Sequence, residues 1–334
     1  MTQKHILQLF PMYHQAGEEM LNAHARVTKF NQFEKPAIIE FLNHHQVDGI
    51  ILRAPAKITP DILDACHQVR AISGAGVGLD NIDVNYATRK EIAVLHAPKI
   101  NARATAEHAI CLILASMKDL VRFNRETKKG NFDYRNGRYT RELYQKNLGL
   151  IGFGSIAQRV AKIMSFGFEM NVTAYVRNIN REKREIARSL GVTLTTSLED
   201  VFTEKDVISV HIPLTDDTNQ LINEFYLNLM KKGAVLINTA RGEVIHEQDL
   251  VKAVESGKLS RAGIDVFANE PPEKHHPFYP LDNITVTPHI GGISVEAARE
   301  TSIVIAENLL KAIDGESVPT IANQEVLQMV ERKR

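Results

Sequence analysis

Three residues far apart in the chain are suited to act together: Arg241 in INTARG, Glu270 in DVFANEPP and His289 in TPHIGG. An arginine is a permanent cation whose rigid fork of donors grips a carboxylate and steadies charge developing on a neighbouring oxygen. An imidazole can give a proton to that oxygen, or take one from it, near neutral pH. A carboxylate behind the imidazole fixes its orientation and favours the imidazolium. Such a set suits hydride exchange with a carbonyl that stands beside a carboxylate. Each residue also has a plain structural reading: a salt bridge for Arg241, a turn cap for Glu270 before two prolines, loop filling for His289 after Pro288.

A hydride needs a source, and LGLIGFGSIAQRVAK offers a place for one. Leu148, Leu150 and Ile151 form a short apolar run, followed by Gly152, Gly154 and Ala157 in the pattern G-x-G-x-x-A, then by Val160, Ala161 and Ile163 at helical spacing. Gly152 lets the chain turn sharply, Gly154 lets the backbone approach a pyrophosphate, and Ala157 lets the helix pack close to the sheet. The amides of Ser155 and Ile156 would then open the helix at the positive end of its dipole. The structural alternative is a tight strand-to-helix turn with no ligand. The next strand, near Asn171 to Tyr175, should end where an acidic residue binds both ribose hydroxyls. Val176, Arg177 and Asn178 stand there instead. An arginine would pair with a 2′-phosphate that an acid would repel, so NADP is expected in preference to NAD. Alternatively Arg177, Arg181, Lys183, Arg184 and Arg188 are a solvated helix face.

The elements that must position these residues are bounded by composition. A chain of 334 residues, 44% hydrophobic, is long enough for two cores. Forty basic and forty acidic side chains balance, which gives no electrostatic case for nucleic acid or an anionic membrane. Cys66 and Cys111 are too few for a disulfide framework, and His275 and His276 lack further ligands nearby in sequence, so no metal is expected. No apolar run approaches membrane length, and the N-terminal apolar stretch reads as a first strand without a cleavage pattern. A cytoplasmic protein is the expectation.

Strand-like and helix-like segments alternate throughout. Strands are predicted at Ile6 to Phe10, Gly49 to Arg53, Ala71 to Ser73 and Ala93 to His96, with helices at Gly17 to Ala25, Pro36 to His44 and Pro60 to Val69. A single long helix is predicted from Asn101 through ARATAEHAICLILASMKDL. Further strands are expected near Leu148 to Ile151, Val172 to Tyr175, Val207 to Val210, Val235 to Ile237, Ala262 to Ile264 and Ile284 to Val286, and a last helix over Val295 to Ile313. This density of alternation argues for an α/β protein with parallel sheets. Hinges are expected in the helix after Asn101 and around Ile290 to Ser294.

Taken in order, GAGVGLDNIDV, ATAEHA, GLIGFGSIA, HIPLT, MKKGAVLINTARGEVI, AGIDVFANEPP and TPHIGG resemble the D-2-hydroxyacid dehydrogenase family over nearly the whole chain. The resemblance implies a Rossmann cofactor domain, residues 101–291, inserted into a flavodoxin-like substrate domain, residues 1–100 plus 292–334. It implies that Arg241 holds the substrate carboxylate and reacting oxygen, that His289 is the acid/base, and that Glu270 orients it. Backbone amides of Val77 and Gly78 would help bind the carboxylate. Thr105 and Asp265 would lie near the nicotinamide; His211 and Pro213 would shape the loop under the cofactor; Asn238 and Thr239 would lead into Arg241, with Thr239, Ala240 and Gly291 also bordering the cofactor. A homodimer, with Lys118 to Tyr144 contributing, and closure over the substrate are further expectations.

The substrate is less legible. Arg53 could meet an additional anionic group, as in phosphoglycerate dehydrogenases, but Gly74 stands where those enzymes tend to carry another arginine. The chain ends soon after its last predicted helix, which is expected to leave no regulatory domain. The missing acid favours a glyoxylate or hydroxypyruvate reductase using NADPH. Phe132 stands where many relatives have tryptophan. Rivals on the same fold are formate oxidation, against which Glu270 argues because formate enzymes typically pair the histidine with an amide, and phosphite oxidation. A dinucleotide-sensing corepressor is a more remote one.

Overall fold

The computed structural model describes residues 3–74, 76 and 78–326, and these fall into two compact units, residues 1–101 with 293–334 and residues 102–292. The first unit opens with β1 (His5–Leu9), α1 (Gln15–His24), β2 (Arg26–Phe30), α2 (Lys35–His44), β3 (Gly49–Leu52), α3 (Pro60–Asp64), β4 (Ala71–Gly74), α4 (Val84–Arg89) and β5 (Ala93–Leu95). Its strands pair in parallel in the order β2-β1-β3-β4-β5, the flavodoxin-like order. β1, β3, β4 and β5 are buried along their whole length, as expected of strands covered on both faces.

The second unit begins with α5 (Ala102–Met117) and α6 (Leu120–Lys128). Sequence periodicity predicts one helix here, but Asp119 adopts φ 51° and breaks it. The Asp119 carboxylate meets Arg261 at 2.6 Å, an ion pair that holds the break in place. Then come β6 (Asn147–Ile151), α7 (Ser155–Gly167), β7 (Asn171–Tyr175), α8 (Arg181–Ser189), β8 (Val192–Thr195), α9 (Leu198–Phe202), β9 (Val207–Val210), α10 (Glu224–Leu229), β10 (Ala234–Asn238), α11 (Glu247–Glu255), β11 (Leu259–Ile264) and β12 (Ile284–Val286). All seven strands are parallel, ordered β12-β11-β10-β9-β6-β7-β8. The order reverses direction at β6 and β9, so the crevice beyond their carboxyl ends is a topological switch point, where open α/β sheets bind ligands. This is a Rossmann sheet.

The chain returns to the first unit through α12 (Val295–Ile313). Its buried face carries Ala297, Ala298, Thr301, Ser302, Ile305 and Leu309, at helical spacing. Small residues let it approach α1 closely. Three elements differ from the sequence reading. The strands β2 and β8 were not predicted: both are edge strands, largely exposed or half-buried, without a clear apolar alternation. The helix predicted over Pro60 to Val69 stops at Asp64, where the Ala65 amide turns back to Ile62 and Leu63.

Candidate active site

The Arg241 turn is built from β10. Asn238, at the end of that strand and 1% exposed, accepts the Ala240 amide on Oδ1 at 3.0 Å and donates Nδ2 to the Arg241 carbonyl at 2.9 Å. Its side chain thus closes the turn that presents Arg241. Arg241 is half-buried and donates Nη1 to the Ala240 carbonyl at 2.7 Å. Thr239 is buried and Ala240 half-buried beside it.

His289 and Glu270 come from loops after β12 and β11. The structure brings them together, with His289 Nδ1 donating to Glu270 Oε2 at 2.6 Å, the short length of a charge-assisted bond. Glu270 Oε1 accepts the Phe267 amide at 3.0 Å. Burial pushes the Glu270 carboxyl up, but the bond to His289, that ring's charge, the Phe267 amide and the Arg241 charge together hold it below the usual glutamate range. Glu270 is therefore an anion at neutral pH. Its partner presents the other ring nitrogen, Nε2, which makes no hydrogen bond among the described residues.

Asp265 is fixed by its surroundings. It is 1% exposed, and its carboxylate accepts the Thr287 hydroxyl at 2.6 Å and the Ile290 and Gly291 amides at 2.9 Å. His108, on α5, donates Nε2 to Thr287 Oγ1 at 3.0 Å and lies 3.4 Å from the carboxylate. Burial raises the Asp265 carboxyl, yet His108, Thr287 and the two amides outweigh it and leave it below the usual aspartate range. Gly291 has no room for a side chain, since a Cβ would lie 2.8 Å from Asp265 Oδ2. His108 has little signal in the sequence, an imidazole three residues after Thr105 in the first half of a helix whose second half is apolar.

The glycine turn fits a dinucleotide. Gly152 has φ 102°, and a Cβ there would meet the His211 carbonyl at 2.6 Å. Gly154 caps α7 without a side-chain bond, and the space where its Cβ would stand is open, as close approach of the main chain to a pyrophosphate requires. Ser155 and Ile156 begin the helix there. His211 bonds Ser209 through Nε2 at 2.9 Å, and burial lowers its pKa to about 4, so the ring is neutral. The exposed Pro213 follows, its carbonyl accepting Thr218 Oγ1 at 2.7 Å. At the end of β7, Val176 is buried while Arg177 and Asn178 are exposed. Asn178 is held by Lys183 Nζ, and Arg181 pairs with Glu185; Arg177 makes no hydrogen bond or ion pair among the described residues. Thr105 is buried in the first turn of α5.

Of the positions expected to meet the substrate in the first unit, Val77 lies outside the described residues. Gly78 is half-buried in the loop after β4. Arg53 donates Nε to the Pro11 carbonyl at 2.6 Å and Nη1 to its neighbour's carbonyl at 3.1 Å, with its guanidinium over the rings of Phe10 and Tyr13. Among the described residues there is no group of three or more His, Cys, Asp or Glu that could hold a metal ion, and no helix is long and apolar enough to cross a membrane.

Comparison with known proteins shows the family. A family model described as "D-isomer specific 2-hydroxyacid dehydrogenase, NAD binding domain" matches residues 110–291, more than half of the chain. The chain belongs to the D-2-hydroxyacid dehydrogenase family. It is 36% identical to the hydroxypyruvate reductase of Thermotoga maritima over 91% of this chain and 96% of that protein. It is 37% identical to the D-3-phosphoglycerate dehydrogenase of Methanocaldococcus jannaschii over 83% of this chain, but spans only 52% of that longer protein. A solved glyoxylate reductase from Paecilomyes thermophila superposes with a TM-score of 0.87 at 28% identity, over 97% of this chain and all of that one. The chain is thus an oxidoreductase of this family with a domain for a nicotinamide dinucleotide.

Proposed function

We propose that the protein reduces a small 2-ketoacid, of the glyoxylate or hydroxypyruvate class, to the D-2-hydroxyacid with NADPH as the preferred cofactor. The observation that carries this reading is the 2.6 Å contact between His289 and Glu270, with the Arg241 charge acting on the same carboxylate. Arg241 binds the substrate carboxylate and stabilises charge on the carbonyl oxygen. His289 gives that oxygen a proton from Nε2 during reduction and accepts one during oxidation. Glu270 holds the ring in place through Nδ1. The dinucleotide supplies the hydride. Gly152, Gly154, Ser155 and Ile156 would hold its pyrophosphate, and Asp265 and Gly291 fix the loop that presents His289.

The preference for NADPH rests on Val176 and Arg177. An apolar side chain where an acid would repel phosphate, followed by an exposed arginine, suits a 2′-phosphate. A phosphorylated substrate is disfavoured because Arg53 already spends Nε and Nη1 on main-chain carbonyls. The same reading assigns residues 101–291 to the cofactor and residues 1–100 with 292–334 to the substrate, in a cytoplasmic homodimer. Leu120, Val121, Phe132, Tyr139 and Tyr144, all exposed in the isolated chain, support joining through Lys118 to Tyr144.

Initial rates with NADPH and NADH test the reading, against glyoxylate, hydroxypyruvate, pyruvate, phenylpyruvate and phosphohydroxypyruvate, with formate and phosphite in the oxidative direction. Rapid NADPH oxidation with one of the first two is expected. Turnover confined to formate, phosphite or phosphohydroxypyruvate would overturn the substrate assignment, and turnover with NADH alone would overturn the cofactor preference.

A further inference from the structure

Gly242 follows Arg241, and a Cβ there would lie 1.9 Å from the Phe267 carbonyl carbon and 2.3 Å from the Ala268 nitrogen. The main chain leading to Glu270 therefore rests directly on the main chain leaving Arg241. Glu247, the first residue of α11, holds the same stretch. Its Oε1 accepts the Ala268 amide at 3.0 Å, and its Oε2 faces His276 Nε2 at 3.3 Å. His276 is buried, accepts the Phe278 amide on Nδ1 at 3.4 Å, and packs edge-on against the rings of Phe267 and Phe278. With Nδ1 accepting, the ring carries its proton on Nε2 and donates it to Glu247. One carboxylate thus ties both ends of the loop from Ala268 to His276, and Glu270 stands inside that loop.

We propose that Glu247 is a positioning residue for proton transfer: through Ala268 and His276 it sets where Glu270 meets His289. The geometry to be preserved is narrow, since a hydrogen bond of 2.6 Å loses strength with a small displacement of either partner. Gly242 supplies the opposing stop, because the loop cannot sink further without meeting the Arg241 turn. His276 thereby acquires a role in place of metal ligation. This inference rests on the roles proposed above for Glu270 and His289.

The test is a double-mutant cycle with Glu247→Gln and Glu270→Gln, measured with NADPH and whichever of glyoxylate and hydroxypyruvate the wild type reduces faster. Glu247→Gln should lower kcat by about tenfold or more, as small misplacements of reacting groups do. Its NADPH dissociation constant should stay within about twofold of wild type. In the Glu270→Gln background the same substitution should cost less than about twofold, because the residue through which it acts is gone. The downfield Nδ1 proton resonance of His289, identified by its loss in His289→Asn, should shift in Glu247→Gln. His276→Asn, which removes one of the two ties of Glu247 and leaves its bond to Ala268, should shift it too and serves as the test if Glu247→Gln fails to fold. Additive losses in the cycle, or an unshifted resonance with unchanged kcat, overturn the positioning role alone. Wild-type kcat in Glu270→Gln overturns the proton-transfer pair and the inference with it.

Discussion

Asp265 holds His289 by its main chain and not by its ring. The Asp265 carbonyl accepts the His289 amide at 2.8 Å, while its carboxylate takes the next two amides, of Ile290 and Gly291, at 2.9 Å. His289 adopts φ 51°, a left-handed conformation that a residue with a Cβ adopts at a cost. The bonds to Asp265 offset that cost and leave the ring pointing at Glu270. Asp265 is the anchor of the loop that carries the imidazole.

Replacing Asp265 by Asn should therefore lower both stability and turnover. An amide cannot satisfy the amides and hydroxyl that the carboxylate accepts, and ~2 kcal/mol of stability should be lost at pH 7. The pH dependence has a definite sign. Because the folded carboxyl lies below its usual range, its contribution is complete above the unfolded value and disappears as pH falls through the folded one. Urea unfolding of wild type and variant should differ at pH 7, begin to converge only below about pH 4, and coincide once the pH is under the lowered folded value. A difference that persists unchanged into acid would contradict this assignment.

His211 makes the opposite kind of titration visible. Burial holds its pKa at about 4 in the folded protein, while the unfolded chain takes up the proton near the ordinary value. Stability should therefore fall as pH drops from about 6.5 toward 4, by on the order of 3 kcal/mol from this group. His211→Asn should flatten the unfolding profile across that window. An unchanged slope in the variant would assign the acid sensitivity to other groups.

Arg177→Ala should raise KM for NADPH about tenfold or more, the worth of a charge-assisted contact to phosphate, and leave KM for NADH unaltered. Equal effects on the two cofactors would return Arg177 to the solvated surface.

If the stretch from Lys118 to Tyr144 joins two copies, Tyr139→Lys combined with Leu120→Lys should convert a dimer to a monomer in light scattering. Tyr139 is 91% exposed and Leu120 60% exposed in the isolated chain, so neither change disturbs its core. A wild-type monomer, or a dimer unaffected by the pair, would exclude that surface.

Much of this was legible in the sequence because the signals were local. The G-x-G-x-x-A turn needs its glycines wherever a strand runs into a helix under a phosphate, so Gly152 and Gly154 announce themselves. Buried central strands such as β9 and β10 read as apolar runs bounded by polar residues. Arg241, Glu270 and His289 were legible through the phrases around them. The supports were not. His108 meets Thr287 across 179 positions, and Glu247 meets His276 across 29, and single histidines or glutamates have no periodic pattern to betray such partners. Gly242 reads as an ordinary turn glycine; only the passage of Phe267 over it reveals that space, not conformation, demands it. The break at Asp119 and the edge strands β2 and β8 are likewise set by tertiary partners.

The central claim is that His289 carries the proton, and the most direct measurement is kcat for ketoacid reduction by His289→Asn together with its NADPH dissociation constant. Loss of general acid catalysis should lower kcat by about a thousandfold. Cofactor affinity should remain within about twofold, because the proposed dinucleotide site is the β6–α7 turn and not the His289 ring. Wild-type turnover in this variant, with the cofactor bound normally, would contradict the account.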